Sequence, residues 1–489
     1  MGQSLQSEEA SLARSTYHPA LRPGPKGRAL VAALLHDLRR GRLVGGERLP
    51  GARTLASRLG LARGTVDEAY AELEAEGWLE RRPQQGTFVR ELPDVPSFTA
   101  PVADAQGMPQ VGFDLPPLPP SRRRLTPPDT ELALLGGRPD LRLLPVAELA
   151  RAYGRVLRGR GRHLVDYGAP DGTTRLREAL GRWLASTRSI RPAPAGLLVT
   201  RGSQQGLYLL ARALLRPGDR VGVEAMGYPP AWEALRAAGA ELVPVPVDDE
   251  GARVDLFPDD LRGVYLTPHH QYPTGATLSA PRRLTLLAWA AAHRVAVIED
   301  DYDHEYHYEG TPVTPLVAAD RAGVVASLGT LSKAFAPGLR LGWVVAPPPL
   351  VSHLVRWRTL VDRQGDQVME HAMAELLDDD VVGRHLRRTR RVYARRRRVM
   401  LEAVARQLPW LEPVVRPGGL ALWCAVAGTA DETEGWARAC RRRGVHFETA
   451  AHYTVDGSTA PWVRLGFACH DEGEILDAIS RMARAWRSR

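Results

Sequence analysis

Ser327-Leu328-Gly329-Thr330-Leu331-Ser332-Lys333-Ala334-Phe335-Ala336-Pro337-Gly338-Leu339-Arg340-Leu341-Gly342-Trp343 contains a chemically conspicuous residue. Lysine occurs only at Lys26 and Lys333, although lysine and arginine together number 65. A guanidinium stays protonated and cannot form a Schiff base, so a chain that uses arginine for nearly every cation keeps a lysine where a primary amine is required. An apolar run, Val324 to Leu328, precedes this loop and another, Leu341 to Ala346, follows it. Both read as buried strands, which places Lys333 at a strand end.

Working outward, Leu197 to Thr200, Arg220 to Glu224, Val243 to Val247, Val264 to Thr267 and Val295 to Glu299 are further short apolar runs, most of them separated by amphipathic segments. This alternation predicts an α/β domain with a largely parallel sheet covered on both faces and with sites at the strand ends. Polar clusters occupy those ends. Gly202-Ser203 opens a helical stripe of Leu207, Leu210 and Leu214, offering backbone N–H groups and a helix dipole to a phosphate. Asp300 closes the run Val295 to Glu299 and can meet a heteroaromatic nitrogen. Ser203, Asp300, Lys333 and Arg340 together supply what pyridoxal 5'-phosphate needs: a phosphate anchor, an acid for the pyridine nitrogen and an amine for the aldehyde.

Competing readings of this half are weaker. A metal site built from Asp300, Asp303, His304 and His307 competes with ordinary hydrogen bonding at a carboxylate-rich strand end, and His269-His270 lacks a third ligand at a telling spacing, so no metal is expected. The arginine-rich run from Arg384 to Arg398 has an apolar side of Leu386, Val392 and Tyr393 and reads as structural.

The first ninety residues have a different period. Leu30, Leu34 and Leu38 recur every four positions before Gly41; Thr54 is placed to cap a helix from Leu55 to Leu59; Gly60 turns into a third helix striped by Val66, Tyr70 and Leu73 and closed by Gly77. Two short extended segments follow around Gln84-Gln85, the order of a helix-turn-helix with a basic wing. A helical oligomerisation module is the alternative. Prolines cluster from Pro93 to Pro128, which predicts an extended spacer, with Arg122-Arg123-Arg124 inside it. The expected domains are therefore residues 20–90, a Pro-rich linker at 91–130, and 131–489 with a small subdomain mainly at 384–489.

A net charge of +9 and a pI near 9.7 favour an acidic partner, weakly for so long a chain. Three cysteines, far apart, indicate neither a disulfide framework nor a zinc knuckle. No apolar run approaches a membrane span, and the first twenty residues lack the apolar core of a signal peptide, so a cytoplasmic protein is expected.

Gly46-Glu47-Arg48-Leu49-Pro50, Arg53-Thr54-Leu55-Ala56 and the run from Ala69 to Leu79 resemble the winged helix of GntR-family bacterial regulators. By that resemblance Arg53, Arg63, Thr65, Arg82, Gln85 and Gly86 are the DNA contacts. From about Gly136 onward, Gly202-Ser203-Gln204-Gln205, His270-Gln271-Tyr272-Pro273-Thr274-Gly275, Glu299-Asp300-Asp301-Tyr302-Asp303, Gly329-Thr330-Leu331-Ser332-Lys333 and Arg340-Leu341-Gly342 resemble the fold-type I aminotransferases. The two halves in this order resemble the MocR subfamily of GntR regulators. The resemblance implies that Lys333 forms the internal aldimine, Asp300 pairs with the pyridine nitrogen, Tyr302 reaches the ring hydroxyl and Tyr228 stacks on the ring. It places Ser203, Gln204, Thr330, Ser332 and Arg340 around the phosphate and gives Arg464 to an effector carboxylate. Pro230 stands where members that sense γ-aminobutyrate carry arginine, which argues against that effector.

The expected protein is a dimeric, pyridoxal-phosphate-dependent transcriptional regulator that binds double-stranded DNA and senses an amine, an amino acid or the cofactor itself. An active aminotransferase that carries a winged helix is one rival. A DNA-binding protein with a vestigial pocket is another, and the retained Lys333 argues against it.

Overall fold

A computed structural model describes residues 17–21, 23–91, 113–115, 127–128 and 130–487. The chain divides into two units between Pro116 and Pro117. Most of the proline-rich stretch, with Arg122-Arg123-Arg124, lies outside the described residues.

The N-terminal unit is three helices and a hairpin: α1 (Lys26–Arg39), α2 (Ala52–Leu59), α3 (Arg63–Ala75), β1 (Leu79–Arg82) and β2 (Gly86–Val89). Leu30, Leu34, Leu55, Val66, Leu73 and Leu79 are fully buried, so the stripes read from the sequence do meet in one core. Each such side chain contributes roughly 1.5–3 kcal/mol. One detail differs from the sequence reading. Helix α2 starts at Ala52 with Gly51 as its N-cap, and Thr54 lies inside the first turn. No side chain accepts from the first amides of this helix, and the glycine serves because it leaves them open to solvent. Gly60 adopts the left-handed conformation that ends α2.

The second unit is organised by a seven-stranded sheet. Its strands are β3 (Leu197–Thr200), β4 (Arg220–Glu224), β5 (Glu241–Val245), β6 (Gly263–Leu266), β7 (Ala296–Asp301), β8 (Val325–Thr330) and β9 (Gly342–Val345), in the spatial order β3-β9-β8-β7-β6-β4-β5. All neighbours are parallel except β9, which runs antiparallel to both β8 and β3. Every apolar run taken for a strand is in this sheet. The largest offset is at β5, which ends at Val245: it is an edge strand, half exposed, and tolerates Pro244 within it. The antiparallel β9 follows directly from the loop that carries Lys333, which returns along the same sheet without a crossover helix.

A smaller four-stranded antiparallel sheet, Leu411–Val414, Ala421–Val426, Trp462–Gly466 and Glu448–Thr449, packs with the helices Val381–Gln407 and Ala430–Arg441, and the helix Glu472–Trp486 packs against both. The basic run lies on the first of these. Arg396 and Arg397 are buried and bonded to Asp140 (2.8 Å) and Glu309 (2.7 Å), so these two arginines of the run are structural, while its others are exposed. No helix among the described residues is long and apolar enough to cross a membrane.

Candidate functional site

Strand β7 sorts three acids by the alternation of its side chains. Glu299 accepts from the amides of Leu316 (2.6 Å) and Val317 (3.2 Å). Asp301 pairs with Arg188 at 2.9 Å, and Arg188 also holds Glu305, all three being nearly inaccessible to solvent. Burial alone would raise the Asp301 carboxyl; the Arg188 guanidinium holds it well below the usual range. Asp300, between them, faces a cavity of about 370 Å³. Its Oδ2 accepts from Tyr265 on the adjacent β6 (2.7 Å), while its buried Oδ1 has no partner among the described residues. Burial raises this carboxyl to about 6, against the Tyr265 hydrogen bond.

The same cavity is lined by Ser203, Gln204, Tyr228, Tyr302, Thr330, Ser332, Lys333 and Arg340. All nine residues assigned to the cofactor from the sequence are therefore together, brought there by four different strand ends. Gly202 (φ +76°) turns from β3 into the helix Ser203–Leu214. A Cβ there would stand 2.8 Å from the Arg340 guanidinium, so only glycine lets that cation approach the helix start. Arg340 in turn donates to the Arg201 carbonyl (3.1 Å). Thr330 accepts from the Ser332 amide (3.0 Å) and donates to the Leu341 carbonyl (3.1 Å), which shapes the lysine loop. Ser332 Oγ is buried and has no partner among the described residues. Tyr228 reaches the cavity on a loop tied down by hydrogen bonds from Ala225 to Val245 and from Gly227 to Tyr453.

Arg464 does not line the cavity. It sits behind the wall, 3% exposed, with its guanidinium 4.4 Å from the ring centre of Tyr272. Its Nε and Nη1 are buried without a partner among the described residues. Gly136 lies directly over it: a Cβ at Gly136 would fall 1.7 Å from Arg464 Nη1, and one at Gly137 would fall 3.3 Å from Lys333 Nζ. Gly136, Gly137 and Tyr265 are site residues that the sequence reading passed over. The glycines lie outside any periodic element, and Tyr265 is hidden within an apolar strand.

The histidines are brought together by the fold. His269 and His270, which lack a third ligand nearby in sequence, meet His307 and His304 across the loops after β6 and β7. A fold that aligns strand ends brings together residues more than thirty positions apart, which sequence spacing cannot reveal.

On the N-terminal unit, Arg53, Arg63, Arg82 and Gly86 line one concave surface with Arg81 and Gln84. Gln85 is exposed at the tip of the hairpin. Thr65 is half-buried and turned toward α1, where its methyl would lie 3.7 Å from a Cβ at Gly27.

Residues 26–89 match the bacterial regulatory proteins of the gntR family, and residues 137–482 match aminotransferase class I and II. The chain is 31% identical to the probable rhizopine catabolism regulatory protein MocR of Rhizobium meliloti, over 94% of each. It is 32% identical to the pyridoxine biosynthesis transcriptional regulator PdxR of Corynebacterium glutamicum, over 90% of this chain and 93% of that one. The chain belongs to the MocR-type regulators of the GntR family. Its aminotransferase unit is similar to the α-aminoadipate aminotransferase LysN from Thermus thermophilus, solved with N-(5'-phosphopyridoxyl)-L-leucine (TM-score 0.68, 29% identity, 74% of this chain and 93% of that one). The cofactor of this MocR-type fold is pyridoxal phosphate, and the residues present fit it: an unpartnered carboxylate oxygen on Asp300, an unpartnered hydroxyl on Ser332, a helix start beside Arg340, and Lys333.

Proposed function

We propose that this MocR-type regulator uses its pyridoxal phosphate pocket to sense a carboxylate-bearing amine, or the cofactor itself, and changes its affinity for operator DNA in response. Bound pyridoxal phosphate supplies an aldehyde that an amine can capture and a ring that withdraws electrons when its nitrogen is protonated. In this reading Lys333 would hold the aldehyde carbon. Asp300, through its unpartnered Oδ1, would hold the ring nitrogen, Tyr302 the ring hydroxyl and Tyr228 the ring face. Ser203, Gln204, Thr330, Ser332 and Arg340 hold the phosphate. The chain acts as a dimer through the aminotransferase-like unit.

The observation that carries the sensor reading is Arg464 beneath Gly136. A buried guanidinium with two unpartnered nitrogens is a receptor for carboxylate, and a bidentate pair is strong and selective in geometry. Reaching it requires the segment of Gly136 and Gly137 to move. That segment continues the strip of residues 132–134, where the amides of Leu132 and Leu134 bond to the carbonyls of Gly444 and His446 (2.9 and 2.8 Å), and it leads back along the chain toward the DNA-binding unit. An effector that binds only the displaced arrangement shifts the equilibrium by its differential affinity.

The test is a gel-shift titration on DNA flanking the chain's own gene, at fixed salt, with and without amino acids and pyridoxal phosphate. A ~5–150-fold change in affinity is expected, the usual span of a coupling free energy. Arg464→Ala abolishes the response to the amine while keeping the visible absorbance of bound cofactor, and Lys333→Ala loses that absorbance. The full set of polar groups in the pocket also suits transamination. Rapid multiple turnover, with DNA binding indifferent to amine and cofactor, overturns the sensor in favour of the enzyme.

A further inference from the structure

We propose that His269, His270 and His307 form a binding site for a divalent transition metal, Zn²⁺ by preference, behind the cofactor pocket. Ligand atoms of the three lie within 4.8 Å of one another. Tetrahedral Zn–N bonds of about 2.0–2.1 Å require nitrogens roughly 3.4 Å apart, so the rings close on an ion by small side-chain rotations.

Two observations favour an ion over plain packing. The first is the accumulation of unused nitrogens. Both ring nitrogens of His269, Nε2 of His270 and Nδ1 of His307 are buried without a hydrogen-bond partner among the described residues. Imidazole normally finds a partner for at least one nitrogen when buried, and a shared ion satisfies one nitrogen of each ring together. The second is orientation. His270 Nδ1 lies 2.7 Å from Asp303 Oδ1, which fixes the ring and leaves Nε2 as the nitrogen without a partner among the described residues, the carboxylate–histidine arrangement that supports metal ligands.

The other cluster, His269 with Asp301 and His304, is less suited, because Asp301 is already held by Arg188 and by His304 at 3.1 Å. All-nitrogen ligation without thiolate suits Zn²⁺, Co²⁺ or Ni²⁺ better than the hard ions Mg²⁺ or Ca²⁺. His307, 9% exposed, is the ligand nearest solvent. An ion here ties the loop that carries Tyr272 to the loop that carries Tyr302, both of which line the cofactor cavity.

The experiment uses the full chain without an affinity tag, stripped with a chelator and titrated with Zn²⁺ against a chromophoric competitor, and separately with Co²⁺ read by its visible bands. One equivalent per chain is expected, with tetrahedral Co²⁺ bands. His270→Gln and His307→Gln each weaken binding at least ~100-fold, and Asp303→Asn weakens it ~10–100-fold, as loss of a supporting partner does. His293→Gln, which alters a histidine outside the cluster, binds as the parent does. His307→Gln tests the site at its solvent edge should a core variant fail to fold, with circular dichroism and thermal unfolding as the check. No stoichiometric binding by the parent, or unchanged binding in a folded His307→Gln variant, overturns the proposal.

Discussion

On the winged helix the arginines stand in solvent: Arg63 keeps 69% of its side-chain surface and forms only an i,i+4 pair with Asp67 at 3.3 Å. In the aminotransferase-like unit several arginines are interior, although Arg340 at the cavity is exposed. Arg188 and Arg464 are each 3% exposed and Arg358 is fully buried. The same residue type thus does two jobs in one chain. In water a guanidinium pays little for its position and is available to a polyanion, whereas an interior one is fixed by the acids, carbonyls and rings around it. Exposed arginines should therefore affect binding without affecting stability, and buried ones should affect stability first.

The sharpest contrast is Arg188→Ala. It leaves Asp301 and Glu305 buried without their guanidinium, with only His304, at 3.1 Å, beside Asp301. We expect a loss of ~3–5 kcal/mol in denaturant unfolding, the range for removing one partner of a buried pair. Arg63→Ala, measured in the same way, stays within about 0.5 kcal/mol of the parent. If Arg188→Ala costs no more than Arg63→Ala, the distinction between the two sets of arginines fails.

Asp300 sharpens the same contrast through pH. Its carboxyl, raised by burial from 3.8 to about 6, keeps in the fold a proton that the unfolded chain releases. The native state then binds more protons between those values, so this group's contribution to the stability of the cofactor-free protein falls as pH rises from about 4 to 6. Tyr265 and Lys333 favour its ionised form, Asp301 and Asp303 oppose it. A protonated ring nitrogen favours the carboxylate, so cofactor affinity should weaken as pH falls through about 6. Spectroscopic titration from pH 5 to 8 checks this. Asp300→Asn should bind more weakly and with a flat profile; a profile that keeps its inflection near 6 assigns the proton to another group.

Comparing the two regions also explains what was legible in the sequence. Helices α1 and α3 and all the strands of the large sheet follow from periodicity and apolar runs, because burial of one face constrains residues that are close along the chain. The nine residues assigned to the cofactor meet around one cavity because their motifs sit at strand ends, and a parallel sheet places strand ends side by side. Gly136 over Arg464 was not legible: its role is to lack a side chain at a contact made across more than three hundred residues. The histidine cluster was hidden for a related reason, since neither His269-His270 nor His304 to His307 carries a ligand spacing by itself. Thr54 was misplaced because α2 begins without any side-chain cap.

For DNA, Arg63 is the larger expected effect. It opens α3, on the concave surface that also carries Arg53, and an arginine there that reads a base edge contributes ~1–3 kcal/mol of discrimination. Gel shifts with Arg63→Ala should show that loss on operator DNA and little change on unrelated DNA. Equal losses on both would move Arg63 to the phosphates.

Arg82 should give the smallest effect and a different signature. It ends β1, pairs with Glu80 and lies 4.5 Å over the ring of Phe88, so its guanidinium is held along the hairpin instead of reaching outward from a helix. A cation held in this way suits a phosphate, which needs charge at a fixed place and carries no sequence information. Arg82→Ala should then weaken operator and unrelated DNA by similar factors and reduce the slope of log affinity against log salt by about 1, the counterion released by one phosphate contact. Stability should barely change, because the pair with Glu80 is largely in water. Titrations at several salt concentrations separate the outcomes. A parallel shift with the slope intact would mean that Arg82 acts by shaping the hairpin through Phe88, and Arg82→Lys would then fail to restore binding, since a lysine keeps the charge but loses the planar face that packs on the ring.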